Sequence, residues 1–236
     1  MNLWKNDTAA PIFWLLLLPL MFCMNSCDNN PEAKKSEKKR FVDIYTRFLV
    51  PENEFKAQII FLEGDSSEHI RPVQLPSEVT WNGNPLRIKN PGSMELRYEH
   101  LKSGPYTARQ DFVFKTEAGG SGKISIAMDA ISGFSIGPTI SRAEGATLEI
   151  TGQPLQAGET LLLLFTDEQG NTLEIPFKGP RKSNTFELSP QMTGSLRPGK
   201  HELYLIKQQQ RESVQQQRSV YSMVEWYSAV KVVVVR

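Results

Sequence analysis

The sequence predicts an all-β chain of two tandem β-sandwich domains, and three observations carry that expectation. Short runs alternate apolar and polar residues with period two, as half-buried strands do. Gly, Asn and Asp punctuate those runs where turns need positive φ. No longer stretch shows the periodicity of an amphipathic helix. The chain has 236 residues and a formal net charge of +1. That length suits one or two domains. So small a charge gives no general attraction to nucleic acid.

Ahead of the sandwiches, residues 1–26 read as an export signal. Lys5 supplies positive charge, an apolar run from Pro11 to Met21 includes Leu15 to Leu18, and small Ser26 precedes Cys27. The apolar run is shorter than the roughly 20 residues a bilayer span needs. The stretch Phe22-Cys23-Met24-Asn25-Ser26-Cys27 resembles the lipobox of bacterial lipoproteins. In that family the cysteine after the cleaved bond is acylated, so the resemblance implies lipidation at Cys27. The plain alternative is an ordinary signal cut near Ser26 that leaves Cys27 a thiol. The two cysteines are Cys23 and Cys27. Cleavage removes Cys23, so the mature chain has no intrachain disulfide.

Residues 27–40 should form a disordered tether. Between Asp28 and Arg40 the charges are dense (Lys34, Lys35, Lys38, Lys39, Arg40 against Asp28, Glu32, Glu37), and nothing apolar is larger than Ala33 and Pro31. A coil of that length holds the folded part roughly 20 Å from a membrane.

Residues 41–130 make the first expected sandwich. Val42, Ile44, Thr46, Phe48 and Val50 alternate with Asp43, Tyr45 and Arg47. Ala57 to Leu62 is a second apolar run. Asn82-Gly83 is a hairpin signal, because both residues tolerate positive φ. Met94, Leu96 and Tyr98 alternate with Glu95, Arg97 and Glu99. Tyr106 to Thr116 and Lys123 to Met128 flank a Gly-rich turn. Residues 131–236 make the second sandwich: Ala146 to Thr151, Leu161 to Phe165, Thr172 to Phe177, Phe186 to Leu188, Leu203 to Ile206, and Val220 to Val235. The all-apolar run Val232 to Val235 is expected to be covered on both sides. A weak repeat, Leu101-x-x-Gly104-x-Tyr106 and Leu196-x-x-Gly199-x-His201, supports two units split near Asp129 to Ser132.

Glu144-Gly145-Ala146-Thr147-Leu148-Glu149-Ile150-Thr151-Gly152, then Leu155-Gln156-Ala157-Gly158, resembles the opening of an IPT/TIG immunoglobulin-like domain. Leu196 to Leu205 fits the same pattern. Such domains recur in envelope lipoproteins of the Bacteroidetes. The resemblance covers about residues 131–236. It implies an immunoglobulin-like sandwich and an extracytoplasmic binding or spacer module, with no active site.

Candidate chemistry is sparse. Gly119-Gly120-Ser121-Gly122-Lys123 lacks the Gly and Ser/Thr positions of a phosphate-binding loop and reads as a hairpin turn. Glu63, Asp65, Glu68 and His69 share a polar loop without EF-hand spacing. His69, His100 and His201 have no zinc spacing, and His201 should pack at a sandwich corner. No metal site and no cofactor are expected. Trp81, Trp226 and Tyr227 are the candidate ligand-binding residues, since exposed aromatic faces stack on sugars. Burial in the core competes with that role, and one of the adjacent pair Trp226 and Tyr227 should face inward. The glutamine-rich segment Lys207 to Arg218 is expected as a long loop, or as strand ends reaching past the sheet.

The expected function combines address and fold. It is a non-catalytic, lipid-anchored outer-membrane lipoprotein that binds or scaffolds an envelope partner. A surface glycan-binding accessory protein is the alternative, and an envelope hydrolase a more remote one.

Overall fold

The computed structural model describes residues 39–65, 69–92, 95–116 and 119–236. The expected signal segment, Cys27, most of the tether, Glu68 and Met94 lie outside them. In chain order the strands are β1 (Lys39–Leu49), β2 (Glu54–Gly64), β3 (Ile70–Pro72), β4 (Thr80–Trp81), β5 (Asn84–Pro85), β6 (Arg87–Gly92), β7 (Glu95–Ser103), β8 (Arg109–Lys115) and β9 (Ser121–Ala127). They continue as β10 (Gly133–Ile136), β11 (Thr139–Ile140), β12 (Ala146–Thr151), β13 (Glu159–Asp167), β14 (Thr172–Lys178) and β15 (Thr185–Leu188). A single helical turn α1 (Pro190–Thr193) precedes β16 (Gly199–Gln215), β17 (Arg218–Tyr227) and β18 (Lys231–Val235).

The architecture is all-β, with three sheets. The large one has eleven strands, and its main path runs β11-β18-β16-β17-β1-β2-β7-β6. A four-stranded sheet, β5-β4-β8-β9, covers one end, and a three-stranded sheet, β10-β12-β15, covers the other. Two sandwiches therefore share one sheet. Alternation explains each packed face. In β1, Val42, Ile44 and Phe48 point inward, and in β2, Phe55, Ala57, Ile59 and Phe61 do so. They meet the four-stranded sheet through Phe61 against Phe114 and Phe55 against Trp81, both edge-on at 4.8 and 5.2 Å between ring centres. At the other end Phe177 of β14 meets Phe186 of β15 at 5.1 Å.

β16 joins the two sandwiches. Its first part pairs with β13 and β18, from Gly199 to Gln209, and its later part pairs with β17 from Ile206 to Gln215. β17 then lies parallel to β1, with Phe41 beside Ser219 and Leu49 beside Tyr227. The pairing of β17 with β1 crosses the expected division between residues 130 and 131. Beyond it the C-terminal hairpin returns to complete the first sandwich, and residues 37–236 form one compact unit.

The segment from Lys207 to Arg218 takes the second of its two expected forms, strand ends reaching past the pairing with β13, turned by Gln216 and Gln217 at φ 53° and 55°. The mirror-image turn matches strand twist even without glycine. One further expectation needs correction. The valines of β18 are not covered on both sides: Val233 and Val235 are buried, but Val232 is 64% exposed, because β18 faces the core with one side only. Asn82 and Gly83 take the positive φ values, 46° and 78°, that a two-residue hairpin turn requires.

Candidate functional site

At the far end of the hairpin the chain builds an open groove of about 680 Å³. Its floor is a set of cross-strand rows on the outer face. Leu62, Phe41 and Ser219 stand side by side on β2, β1 and β17, and Val214 of β16 is opposite Ser219. One step along, Asp43, Tyr221 and Glu212 form the next row. Ile70 of β3 also lines the groove. The lining is largely apolar, and Val214 is 78% exposed at its rim. Period-two alternation places these residues outward. Sequence reasoning misses them as a group because β1, β2 and the C-terminal hairpin are far apart along the chain.

Two carboxylates sit in this apolar setting. Burial raises the Asp43 pKa above the usual aspartate value. The carboxylates of Asp43 and Glu212 have no ion pair or side-chain hydrogen bond among the described residues. No Lys or Arg lines the groove among those residues.

Further along the same face lies a polar cluster centred on Glu225. Tyr45 donates to its Oε2 at 2.7 Å, Tyr227 to the same oxygen at 3.0 Å, and Gln208 Nε2 to Oε1 at 2.7 Å. Burial raises both tyrosine pKa values, and the Glu225 charge raises them further. Both phenols are therefore neutral donors at physiological pH. Tyr204 stands beside Tyr227, ring centres 6.4 Å apart.

Of the three aromatic candidates, only Tyr227 lies on this open face. Trp81 is 2% exposed, with its indole N–H donating to Gln110 Oε1 at 3.2 Å. A small recess of about 150 Å³, beside Asn82 and Lys102, reaches its edge. Trp226 is 4% exposed. Both indoles belong to the core, because strand alternation turns them inward between the sheets. They offer no face for stacking a sugar. His201 is buried at the corner, near the Phe165 ring, with Nε2 2.8 Å from the Arg197 carbonyl oxygen. Its packing role is the one expected. Asp65 and His69 are an exposed pair at 3.8 Å, and no metal-ligating cluster occurs among the described residues.

Where the two sandwiches meet, a buried ion pair holds the shared strand. Lys207 Nζ lies 3.0 Å from Glu159 Oε2, with the side chains 1% and 2% exposed. The ammonium also donates to the Asp129 carbonyl at 2.9 Å. Gln156 N–H and Gln209 Nε2 donate to the two Glu159 oxygens at 2.7 and 3.2 Å. Nearby, burial raises the Tyr106 pKa, and the charges of Asp129 and Glu159 add to it.

The hairpin tip closes the first sandwich by a side chain. Ser125 N–H of edge strand β9 donates to Gln215 Oε1 at 3.2 Å, and Gln215 Nε2 donates back to Ser125 O at 3.4 Å. The Gln215 amide thus replaces one residue of a neighbouring strand. Arg218, buried, lays its guanidinium over Phe61 and Phe114 at 5.7 and 5.6 Å.

No family model matches the chain, and no curated protein does. Among solved structures it is similar to a tetra-tandem repeat from the extending region of a large adhesion protein, at 13% identity and TM-score 0.27. That match covers 82% of this chain and 49% of the other. An overlap this loose adds nothing to the fold described above.

Proposed function

We propose that this protein is a lipid-anchored module of a bacterial outer membrane that binds or scaffolds an envelope partner and has no catalytic activity. The observation that carries the binding role is the apolar groove on a body braced by a shared strand. An open apolar surface rimmed by polar residues is a typical interaction site. The anchor rests on the sequence Phe22 to Cys27. β1 begins at Lys39, a dozen residues after that cysteine.

Cys27→Ala tests the anchor. The variant should leave the membrane fraction or accumulate unprocessed, and a processed variant that still fractionates with membranes overturns the reading. Detergent extraction of the wild type, with mass spectrometry of co-purifying proteins, tests the scaffold. A second reading, a glycan platform, is favoured by Tyr227 and Tyr45 standing on the outer face beside Glu225 and Gln208. In that case Tyr227→Ala abolishes capture on immobilised oligosaccharides and leaves the melting temperature within a few degrees of wild type.

A further inference from the structure

We propose that the far edge of β16 at Glu212 to Val214, together with the groove beside it, takes up an extended peptide segment bearing apolar and basic side chains. This rests on the reading of the protein as a binding module and names the chemistry of its partner.

The backbone supplies the first argument. Along a strand, the N–H and C=O of one residue point to the same side, and successive residues alternate. Gln210 N–H donates to Gly158 O at 3.1 Å, and Ser228 N–H donates to Leu205 O at 2.9 Å. Even-numbered residues of β16 thus face β13, and odd-numbered residues face β17 and β18. The pairing with β13 stops at Gln209. Beyond it the N–H and C=O groups of Glu212 and Val214 face a side on which no described strand lies. Residues 210–214 are all exposed.

Two other edge strands of the large sheet are blunted. β6 carries Lys89, and β14 carries Pro176 and Lys178. Such residues discourage a further strand. The tip of β16, Arg211-Glu212-Ser213-Val214-Gln215, has neither Pro nor Lys. An open edge of this kind pairs with an extended peptide through main-chain hydrogen bonds, while adjacent pockets choose its side chains.

The groove supplies the second argument. It opens at this same edge, since Glu212 and Val214 line it. Phe41, Leu62 and Tyr221 give it apolar walls, and Asp43 and Glu212 give it unpaired negative charge. A half-buried carboxylate without a partner is costly until a cation reaches it. A segment paired on this edge with apolar and basic residues on one face sets them beside Val214 and Glu212, at the mouth of the groove.

The test uses the full chain in detergent and fluorescein-labelled heptapeptides read by anisotropy. Val-Thr-Lys-Thr-Val-Thr-Lys presents Val and Lys on one face and should bind saturably. The same peptide with Glu for Lys, and one with N-methylated backbone, should each bind at least about tenfold more weakly. Val214→Pro removes an edge donor that the β17 ladder does not use, and should weaken binding about tenfold. Asp43→Asn combined with Glu212→Gln should do the same through charge alone. If Val214→Pro misfolds by circular dichroism, the charge variant and the N-methylated peptide still decide. Equal binding of the Glu or N-methylated peptide, or no binding of the Lys peptide, overturns the proposal. So does capture of phosphatidylglycerol vesicles through Val214 without peptide binding. The peptide assay does not depend on Cys27. Failure of the anchor test therefore overturns the envelope reading alone, and failure here overturns the strand edge alone.

Discussion

Lys207→Met is the sharpest test of how the two sandwiches are joined. The substitution keeps the length and apolar stem of the side chain but removes the charge. Glu159 is then left 2% exposed without its cation. Breaking a buried pair from one side costs about 3–5 kcal/mol, because the remaining charge is uncompensated. The hydrogen bonds from Gln156 N–H and Gln209 Nε2 remain and hold the cost toward the lower figure. The Asp129 carbonyl also loses its donor, which adds to it. For a unit of this size each kcal/mol shifts the melting temperature by about 2–4 °C, so a fall of roughly 6–20 °C is expected. Urea titration followed by tryptophan fluorescence measures it, since Trp226 is the cross-strand partner of Lys207. Adding Glu159→Gln removes the stranded charge and keeps an acceptor for Gln156. The double variant should return to within about 2 kcal/mol of wild type, since neutral replacements of buried pairs are often tolerated. A single variant within about 1 kcal/mol of wild type would refute the reasoning, as would a double variant less stable than the single one.

Three other expectations come from the same structure. Because β16 runs through both sandwiches and β17 carries the chain back to β1, thermal unfolding should be one cooperative transition by fluorescence and calorimetry, and a fragment from residue 131 to 236 should fail to fold, since its hairpin would bare Val220, Val224 and Trp226; two separated transitions would contradict this. Trp81→Ala should cost about 3–5 kcal/mol by denaturant titration, the usual loss for a fully buried indole, and an unchanged midpoint would place Trp81 outside the core. Hydrogen bonds from Lys123 and Ser125, with help from Arg109, lower the Asp111 pKa to about 2. Since the folded value is depressed, this group stabilises the fold above the unfolded value of 3.8 and loses that contribution as pH falls toward 2. Solvent reaches the carboxylate and screens it, so Asp111→Asn should flatten the acid limb of the stability curve by less than about 1 kcal/mol, and an unchanged limb counts against the assignment.

Much of the strand pattern was legible because burial alternates along a strand whichever neighbour it finds. Val42, Ile44 and Phe48 are inward, and Asp43, Tyr45 and Arg47 outward, as the period of two requires. The Asn82-Gly83 turn was legible because its chemistry is local. The glutamine-rich segment left loop and strand ends both open for the opposite reason. Gln209 and Lys207 are polar yet buried, satisfied by Glu159 and Asp129 from elsewhere in the chain, so polarity there does not signal a loop.

The sequence by itself determined the all-β class, the positions of most strands and the Asn82-Gly83 hairpin turn, all properties of neighbouring residues. Only the tertiary structure decided which strands pair. β1 lies parallel to β17, and β16 runs through both sandwiches. Those contacts join residues from opposite ends of the chain, and alternation is the same for any partner of suitable shape. The groove, the unpaired edge of β16 and the inward burial of Trp226 are all consequences of that pairing. None of them exists until the C-terminal hairpin settles against the first strand.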